Sequence, residues 1–307
     1  VARSTKTPPR RGFSLARPTH PAPLPWHAPR SMDEPGGLMP TFHEIDVLRH
    51  NSASWDAQAA RDCEWSRPVS AEEVAAARRG DWAVKLTPGA LPAHWLGDVR
   101  GREILCLASA GGQQAPILAA AGARVTLFDA SGGQLDKDRQ VAARDRLELA
   151  CVQGDMRDLS TFADASFDLV FNPISNLYVD DVLPVWRECA RVLRPGGKLL
   201  ASFYNPALFI KDRSPELAEQ GLIRPRHRLP YSDLESLSAE ALAAKREKGE
   251  ALVFGHSLTQ QIAGQLAAGL LLQDFYEDWQ PHPRFVIDRF MPTFLATCAL
   301  KPRSAAG

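Results

Sequence analysis

The chain has 307 residues, 45% hydrophobic and 23% charged, with 36 lysines and arginines against 36 aspartates and glutamates. That balance suits a soluble globular protein with a substantial core and opposes sequence-independent nucleic-acid binding, which needs a basic surplus. No apolar run reaches the length of a membrane span. The scattered cysteines, Cys63, Cys106, Cys151, Cys189 and Cys298, show no C-x-x-C spacing. They read as reduced core residues in a reducing, cytoplasmic compartment, with no metal site.

Pro8, Pro9, Pro18, Pro21, Pro23, Pro25 and Pro29 interrupt any helix near the start, so residues 1–40 are expected to be a disordered tail. Its basic residues suggest a transit peptide, but the prolines oppose the amphipathic helix such a peptide forms. A translated leader ahead of Met32 or Met39 is the favoured reading. Residues 41–98 read as a helical cap rich in tryptophan (Trp55, Trp65, Trp82 and Trp95). Ser70 and Glu73 form a capping-box signature before the alanine-rich stretch to Arg79, and Gly80 ends that helix. Leu86–Leu96 is a proline-punctuated connection into the first strand.

The chain is organised around Arg102–Asp129. Ile104–Leu107 is an apolar run of buried-strand length. Ala108, Ser109, Ala110, Gly111 and Gly112 carry almost no side chain, so a ligand can approach their backbone. A helix with Pro116 near its start closes at Gly122. Val125–Phe128 is the next strand, with Asp129 at its carboxyl end. In an open parallel sheet this sets a carboxylate beside a helix N-terminus, in the crevice where nucleosides bind. Such a carboxylate can accept hydrogen bonds from both hydroxyls of a ribose.

Ser131 caps a helix running to about Arg146, followed by a strand at Leu149–Gln153 and the Gly154-Asp155-Met156 turn. Phe167–Phe171 is the fourth strand. From Asp180 or Asp181 a helix places Val182, Val185, Trp186, Cys189, Val192 and Leu193 on one face. Pro195-Gly196-Gly197 should stop it and lead into a strand at Leu199–Phe203. Residues 207–250 have weak periodicity and many charges, which reads as a partly mobile, lid-like insertion. Ser257 opens a further helix that closes at Gly269. Strands at Leu270–Tyr276 and Thr293–Leu300 end the fold.

A dinucleotide turn needs G-x-G-x-x-G, but Ala108 and Ala110 stand at the first two glycine positions and only Gly112 is kept. Taken with Gly154-Asp155-Met156, Phe167-Asp-Leu-Val-Phe171 and Arg191-Val-Leu-Arg-Pro-Gly-Gly-Lys198, the chain from about Trp82 to Pro302 resembles the class I methyltransferases. These use S-adenosylmethionine, and the likeness is greatest to the ubiquinone/menaquinone-biosynthesis-like group. The resemblance implies an α/β fold with a Rossmann-like, seven-stranded, mostly parallel sheet and helices on both faces. The seventh strand would lie antiparallel between the fifth and sixth. An N-terminal helical cap would cover an S-adenosylmethionine-binding core at residues 99–302.

It implies S-adenosylmethionine as cofactor, its methionine part at Ala108, Ser109, Ala110, Gly111, Gly112 and Gln113. Backbone N–H groups at the helix start would meet its carboxylate. Asp129 would take the ribose hydroxyls and Ala130 would pack under the adenine. Asp155 would accept from the adenine amino group beside Met156, with Asn172 and Pro173 where the methyl emerges. Tyr178 and Tyr204 would line the acceptor pocket. His256, in Phe254-Gly-His-Ser257, would border it and serve as catalytic base; its alternative role is to orient the helix that follows.

Three departures stand out. Cys106 occupies the place of the acid that the family usually carries in the first strand, and Ala108 and Ala110 replace glycines. A methyl there crowds the backbone or opposes a positive φ angle, and the Gln113-Gln114 amides are candidates to compensate. The expected function is methyl transfer to a small organic molecule. The first alternative is a non-catalytic S-adenosylmethionine-binding or regulatory protein. A nucleobase methyltransferase is less favoured, because Asn172-Pro173-Ile174-Ser175 lacks the aromatic that stacks on a flipped base. An aminopropyltransferase would need an acidic polyamine pocket, and a nicotinamide dehydrogenase is opposed by Asp155 and by Pro195-Gly196-Gly197.

Overall fold

The computed structural model describes residues 45–303; the tail expected over residues 1–40 lies outside the described residues. Among the described residues, three α-helices precede the sheet: α1 (Val47–Ala60), α2 (Ala71–Arg78) and α3 (Ala93–Leu96). Asp46 caps α1 by accepting from the Arg49 N–H, and Ser70 with Glu73 closes the capping box at α2. Alternating units follow: β1 (Glu103–Leu107), α4 (Gln114–Ala120), β2 (Arg124–Asp129), α5 (Gly132–Asp145) and β3 (Leu149–Gln153). Next come β4 (Phe167–Asn172), α6 (Leu183–Val192) and β5 (Leu193–Tyr204). After β5 lie α7 (Pro215–Glu219), β6 (Tyr231–Ser232), α8 (Asp233–Ser236), α9 (Ala239–Glu247), β7 (Phe254–Gly255) and α10 (Gly264–Ala267). The last two elements are β8 (Leu271–Asp278) and β9 (Phe294–Leu300).

Seven strands form one sheet in the order β3-β2-β1-β4-β5-β9-β8. The first five pair in parallel, and β9 runs antiparallel between β5 and β8. This is the α/β, Rossmann-like arrangement expected, with the last strand inserted between its two predecessors. Strand alternation explains why both faces are apolar. Ile104, Cys106, Val125, Leu127, Leu169 and Phe171 face a layer containing Trp95, Leu118 and Leu135. Their neighbours Leu105, Leu107, Phe128 and Val170 face the apolar side of α6, with Val185, Trp186 and Cys189. Both fully buried tryptophans direct their one donor to a protein acceptor: Trp95 Nε1–H donates to Asp274 and Trp186 Nε1–H to the Gln260 carbonyl.

Two local expectations are corrected. Pro195-Gly196-Gly197 does not end the helix, because α6 stops at Val192 and β5 has already begun at Leu193. Phe167 pairs with Leu193 and the next registered pair is Leu169 with Lys198, so Arg194–Gly197 bulges out of the ladder. Gly196 takes a φ of +84° there and donates to the Lys301 carbonyl at 2.8 Å. The segment 207–250 carries ordered elements that its weak periodicity hides. β6 pairs with β7, and the buried Asp233 accepts from Tyr231 Oη, Lys245 Nζ and the Val253 N–H. A buried carboxylate with three donors organises the segment in place of an apolar stripe.

The cap is joined to the core through polar side chains. Asp56 on α1 accepts from Ser131 Oγ (2.6 Å) and the Gly133 N–H (2.9 Å), the start of α5. Buried Asn51 donates to the carbonyls of Tyr178 (2.8 Å) and Leu252 (2.9 Å) and accepts from the Leu252 N–H (2.7 Å). Asn51→Ala leaves these buried backbone groups without partners, so it should destabilise the fold by about 1–3 kcal/mol. Urea unfolding measures the shift; an unchanged midpoint would show that the cap docks without this side chain.

Candidate active site

A cavity of about 890 Å³ opens beyond the carboxyl ends of β1, β2, β4 and β5. In the strand order, β1 lies where the sequence of crossovers reverses, and ligands of open α/β sheets sit at that crevice. The sheet side of the lining comprises Ala108–Ala110, Phe128–Ser131, Gly154–Arg157, Pro173–Ser175 and Tyr204. Opposite stand α1 (Asn51, Ser52 and Trp55), Glu64, Trp65, Lys85–Pro88 and Gln280–Arg284. Residues 207–250, expected as the lid, contribute no lining residue. The cover comes from α1 and Gln280–Arg284. Trp55 meets Tyr178 edge-on at 5.2 Å, and Arg284 lies 5.2 Å over Trp65 while pairing with Glu64 at 3.4 Å.

The turn after β1 departs from expectation. Ala108 has a φ of +47°, so this chain holds an alanine in left-handed backbone where a glycine would be unstrained. Gly111 and Gly112 have φ of +119° and +75°, and neither lines the cavity. Their bareness serves the protein's own packing: a Cβ on Gly111 would meet the Trp65 carbonyl at 2.6 Å, and one on Gly112 would meet Pro68 at 2.9 Å. Their N–H groups donate to Asp138 Oδ2 on α5, at 2.8 and 2.9 Å. The Ala110 N–H donates to Asp129 Oδ2 at 3.3 Å. The N–H groups of Ala110, Gly111 and Gly112 are therefore engaged by protein carboxylates. The Gln113 and Gln114 amides are engaged too, with the Glu64 and Arg67 carbonyls and with the Lys85 N–H.

Asp129 lines the cavity at the end of β2, and its second oxygen accepts from the Ser131 N–H at 2.9 Å. Burial pushes its carboxyl up to about 6, partly offset by the N–H groups of Ser131 and Ala110. Burial likewise pushes Asp138 up to about 7 against the pull of the two glycine N–H groups. Asp155 lines the cavity with Arg157, which holds it through Nη2 at 2.7 Å and also pairs with Asp180.

Of the residues singled out from sequence, the cavity brings together Ala108, Ser109, Ala110, Gln113, Asp129, Ala130, Asp155, Met156, Pro173, Tyr178 and Tyr204. Asn172 is corrected: it is fully buried and its Nδ2 donates to the Leu107 carbonyl and Ser175 Oγ, joining the ends of β4 and β1. His256 is corrected as well. It is buried off the cavity, with Nε2 at 3.0 Å from the carbonyls of both Asn176 and Val179. Two acceptors require Nε2 to carry the proton, and burial lowers the affinity of the ring for a second one. It orients backbone. Sequence reasoning named Trp55 only as part of the tryptophan-rich cap and missed Lys85 and Arg284, from distant segments, and Gln134 and Arg157, which lie close to Asp129 and Asp155 in the chain.

The family described as "Methyltransferase domain" matches residues 105–201. The chain is 43% identical over 256 residues to the uncharacterized methyltransferase YbaJ of Bacillus subtilis (strain 168), covering 83% of this chain and 98% of that one. It is 35% identical over 138 residues to the demethylmenaquinone methyltransferase of Clavibacter sepedonicus, covering 44% of this chain and 53% of that protein. An S-adenosylmethionine-dependent methyltransferase from Mesorhizobium loti, solved as a crystal structure, shares the fold with a TM-score of 0.54 at 20% identity, over 67% of this chain and 94% of that one. The chain belongs to the class I S-adenosylmethionine-dependent methyltransferases. Within that class the match to YbaJ runs along nearly its whole length, whereas the match to the quinone-pathway enzyme stops at about half.

The residues present fit the cofactor. Asp129 offers an ionisable acceptor on the cavity wall at the end of β2, and Ser109 Oγ and Gln134 Oε1, in residues lining the cavity, are buried with no protein partner. Unpaired buried oxygens at the turn suit the polar amino-acid end of the ligand. Asp129→Ala should weaken S-adenosylmethionine binding by about 1.5–3 kcal/mol by calorimetry. Because the ionised form is the acceptor, affinity should be level above about pH 6 and fall as pH drops through that value. The Asp129→Ala variant should lose the dependence centred there. Ala108→Gly should raise stability by about 0.5–1 kcal/mol, the relief of left-handed strain less the unfolded-state freedom of glycine; a lower urea midpoint would contradict the strain.

Proposed function

We propose that this methyltransferase acts on a small organic molecule held beside Tyr178, Tyr204 and Phe294. One observation carries the reading: the cavity that contains Asp129 continues past Pro173 into an aromatic end covered by α1 and Gln280–Arg284. Its volume of about 890 Å³ falls within the range of small-ligand sites, roughly 300–1,000 Å³. In this reading Asp129 accepts from the ribose hydroxyls and Ala130 lies against the adenine. Asp155 and Met156 border the adenine edge, Asp155 being steadied by Arg157. Ser109, Ala110 and Gln134 lie at the amino-acid end, and Pro173 adjoins the reacting centre.

Bound S-adenosylmethionine supplies an electrophilic methyl on a sulfonium. The chain's task is to hold the acceptor in line with it and to exclude water, a proximity effect that needs little further catalysis. Burial raises the hydroxyl pKa of both Tyr178 and Tyr204, so they stay protonated and orient the acceptor as hydrogen-bond donors rather than as bases. The nucleobase alternative is disfavoured by Ser175, which stands where an aromatic would stack on a flipped base.

Incubating the protein with methyl-labelled cofactor and cell extract tests the reading. Label is expected in the low-mass fraction; label confined to nucleic acid or protein would overturn it. With an acceptor in hand, Tyr204→Ala should raise KM for the acceptor several-fold and leave cofactor affinity unchanged. His256→Ala should lower the melting temperature yet keep turnover per folded molecule. A loss of turnover in the 10²–10⁴-fold range typical of a removed base, with stability intact, would restore His256 to the chemistry.

A further inference from the structure

The turn between β1 and α4 poses a problem that its own strand does not solve. Gly111 and Gly112 present buried N–H groups away from the cavity, and such groups need a strong acceptor. The family's usual strand acid is replaced by Cys106, which is fully buried in the core cluster on that face and is a weak acceptor. The acceptor comes from α5. Asp138 is 0% exposed and takes both N–H groups on Oδ2, at 2.8 and 2.9 Å. Its Oδ1 is buried with no protein partner.

One helical turn earlier, Gln134 occupies the same buried face of α5. Its Nε2 donates to Ser66 Oγ at 2.6 Å, and its Oε1, also unpartnered, lies 2.8 Å from where a Cβ on Gly111 would be. Gln134 lines the cavity and Asp138 does not. The helix thus sets an uncharged oxygen at the wall and a carboxylate directly behind the turn. S-adenosylmethionine carries an ammonium on its amino-acid end, which requires an acceptor and favours negative charge nearby.

We propose that Asp138 is the positioning residue that takes over the part of the missing β1 acid, fixing the turn through Gly111 and Gly112 and placing charge behind the ammonium of the cofactor, which Gln134 Oε1 receives. The site for the amino-acid end is therefore built from α5 rather than from the first strand. The alanine substitutions fit this arrangement. With the turn held from behind at Gly111 and Gly112, the methyls of Ala108 and Ala110 are tolerated at the two positions on the cavity side.

Two ligands separate this role from a purely structural one: S-adenosylhomocysteine, which keeps the amino-acid end, and 5′-methylthioadenosine, which lacks it. Asp138→Asn keeps an oxygen for the glycine N–H groups but removes the charge. Calorimetry above about pH 8, where Asp138 is ionised, should show its affinity for S-adenosylhomocysteine falling about tenfold or more, the scale of a charge-assisted contact, with 5′-methylthioadenosine bound as by the unmodified protein. The double variant Cys106→Asp/Asp138→Asn, which returns the acid to β1, should regain part of the lost affinity. Unchanged affinity for both ligands in Asp138→Asn would overturn the proposal, and so would an equal loss for both. If the unmodified protein bound 5′-methylthioadenosine and S-adenosylhomocysteine equally, the amino-acid end would have no site, and the proposal would fall while the nucleoside assignment at Asp129 stood.

Discussion

Two carboxylates pulling backbone N–H groups from opposite sides define the bend after β1, and the site is built on that bend. Asp129 draws on Ala110 from the end of β2, and Asp138 draws on Gly111 and Gly112 from within α5. Each carboxylate is desolvated, which raises its pKa and costs free energy, and each recovers part of that cost from the N–H groups it accepts. The bend therefore owes its shape to these hydrogen bonds together with the close packing of Trp65 and Pro68 on its glycines. The cap is tied to the same helix by the same means, since Asp56 satisfies the first turn of α5 while Gln134 holds Ser66. A single helix supports the floor of the cavity and receives the element that covers it.

Much of the fold was legible because the sheet is apolar on both faces, so continuous runs such as Ile104–Leu107 mark strands without ambiguity. Ser70 and Ser131 marked helix starts through chemistry confined to three or four residues. The bulge at Arg194–Gly197 was not legible, because a Pro-Gly-Gly sequence reads as a stop and only the register against β4 shows that the strand has begun. The order within residues 207–250 was hidden because Asp233, Tyr231, Lys245 and Val253 make one network from separated positions.

The site was legible in the same uneven way. Asp129 and the turn could be read because strand, turn and helix are contiguous. The bareness of Gly111 and Gly112 was read from the sequence, but the close approach of Trp65 and Pro68 that it admits was not. Cys106 signalled a missing acid, yet nothing local indicated that the replacement lies 32 residues later at Asp138. His256 stood in a suggestive sequence context. Its burial beneath the carbonyls of Asn176 and Val179 is a tertiary fact with no local signature.

The covering of the cavity has a consequence for how the protein is made. Asn51 bonds to Leu252 across 201 residues, and Glu64 pairs with Arg284 across 220. Helix α1 can dock on α5 through Asp56 once Gly133 has been made, but Asn51 and Glu64 meet these later partners only when most of the described chain has been synthesised. Contacts of such separation form late, after the loops between them have closed. A nascent chain can assemble β1 through β5 and the floor of the site with α1 seated on α5 by Asp56, while Asn51 still lacks Leu252. Any product cut short before Gln280 would lose Gln280–Arg284 from the cover and β9 from between β5 and β8, so premature termination here should yield a chain with a half-open site and an unpaired edge on β5.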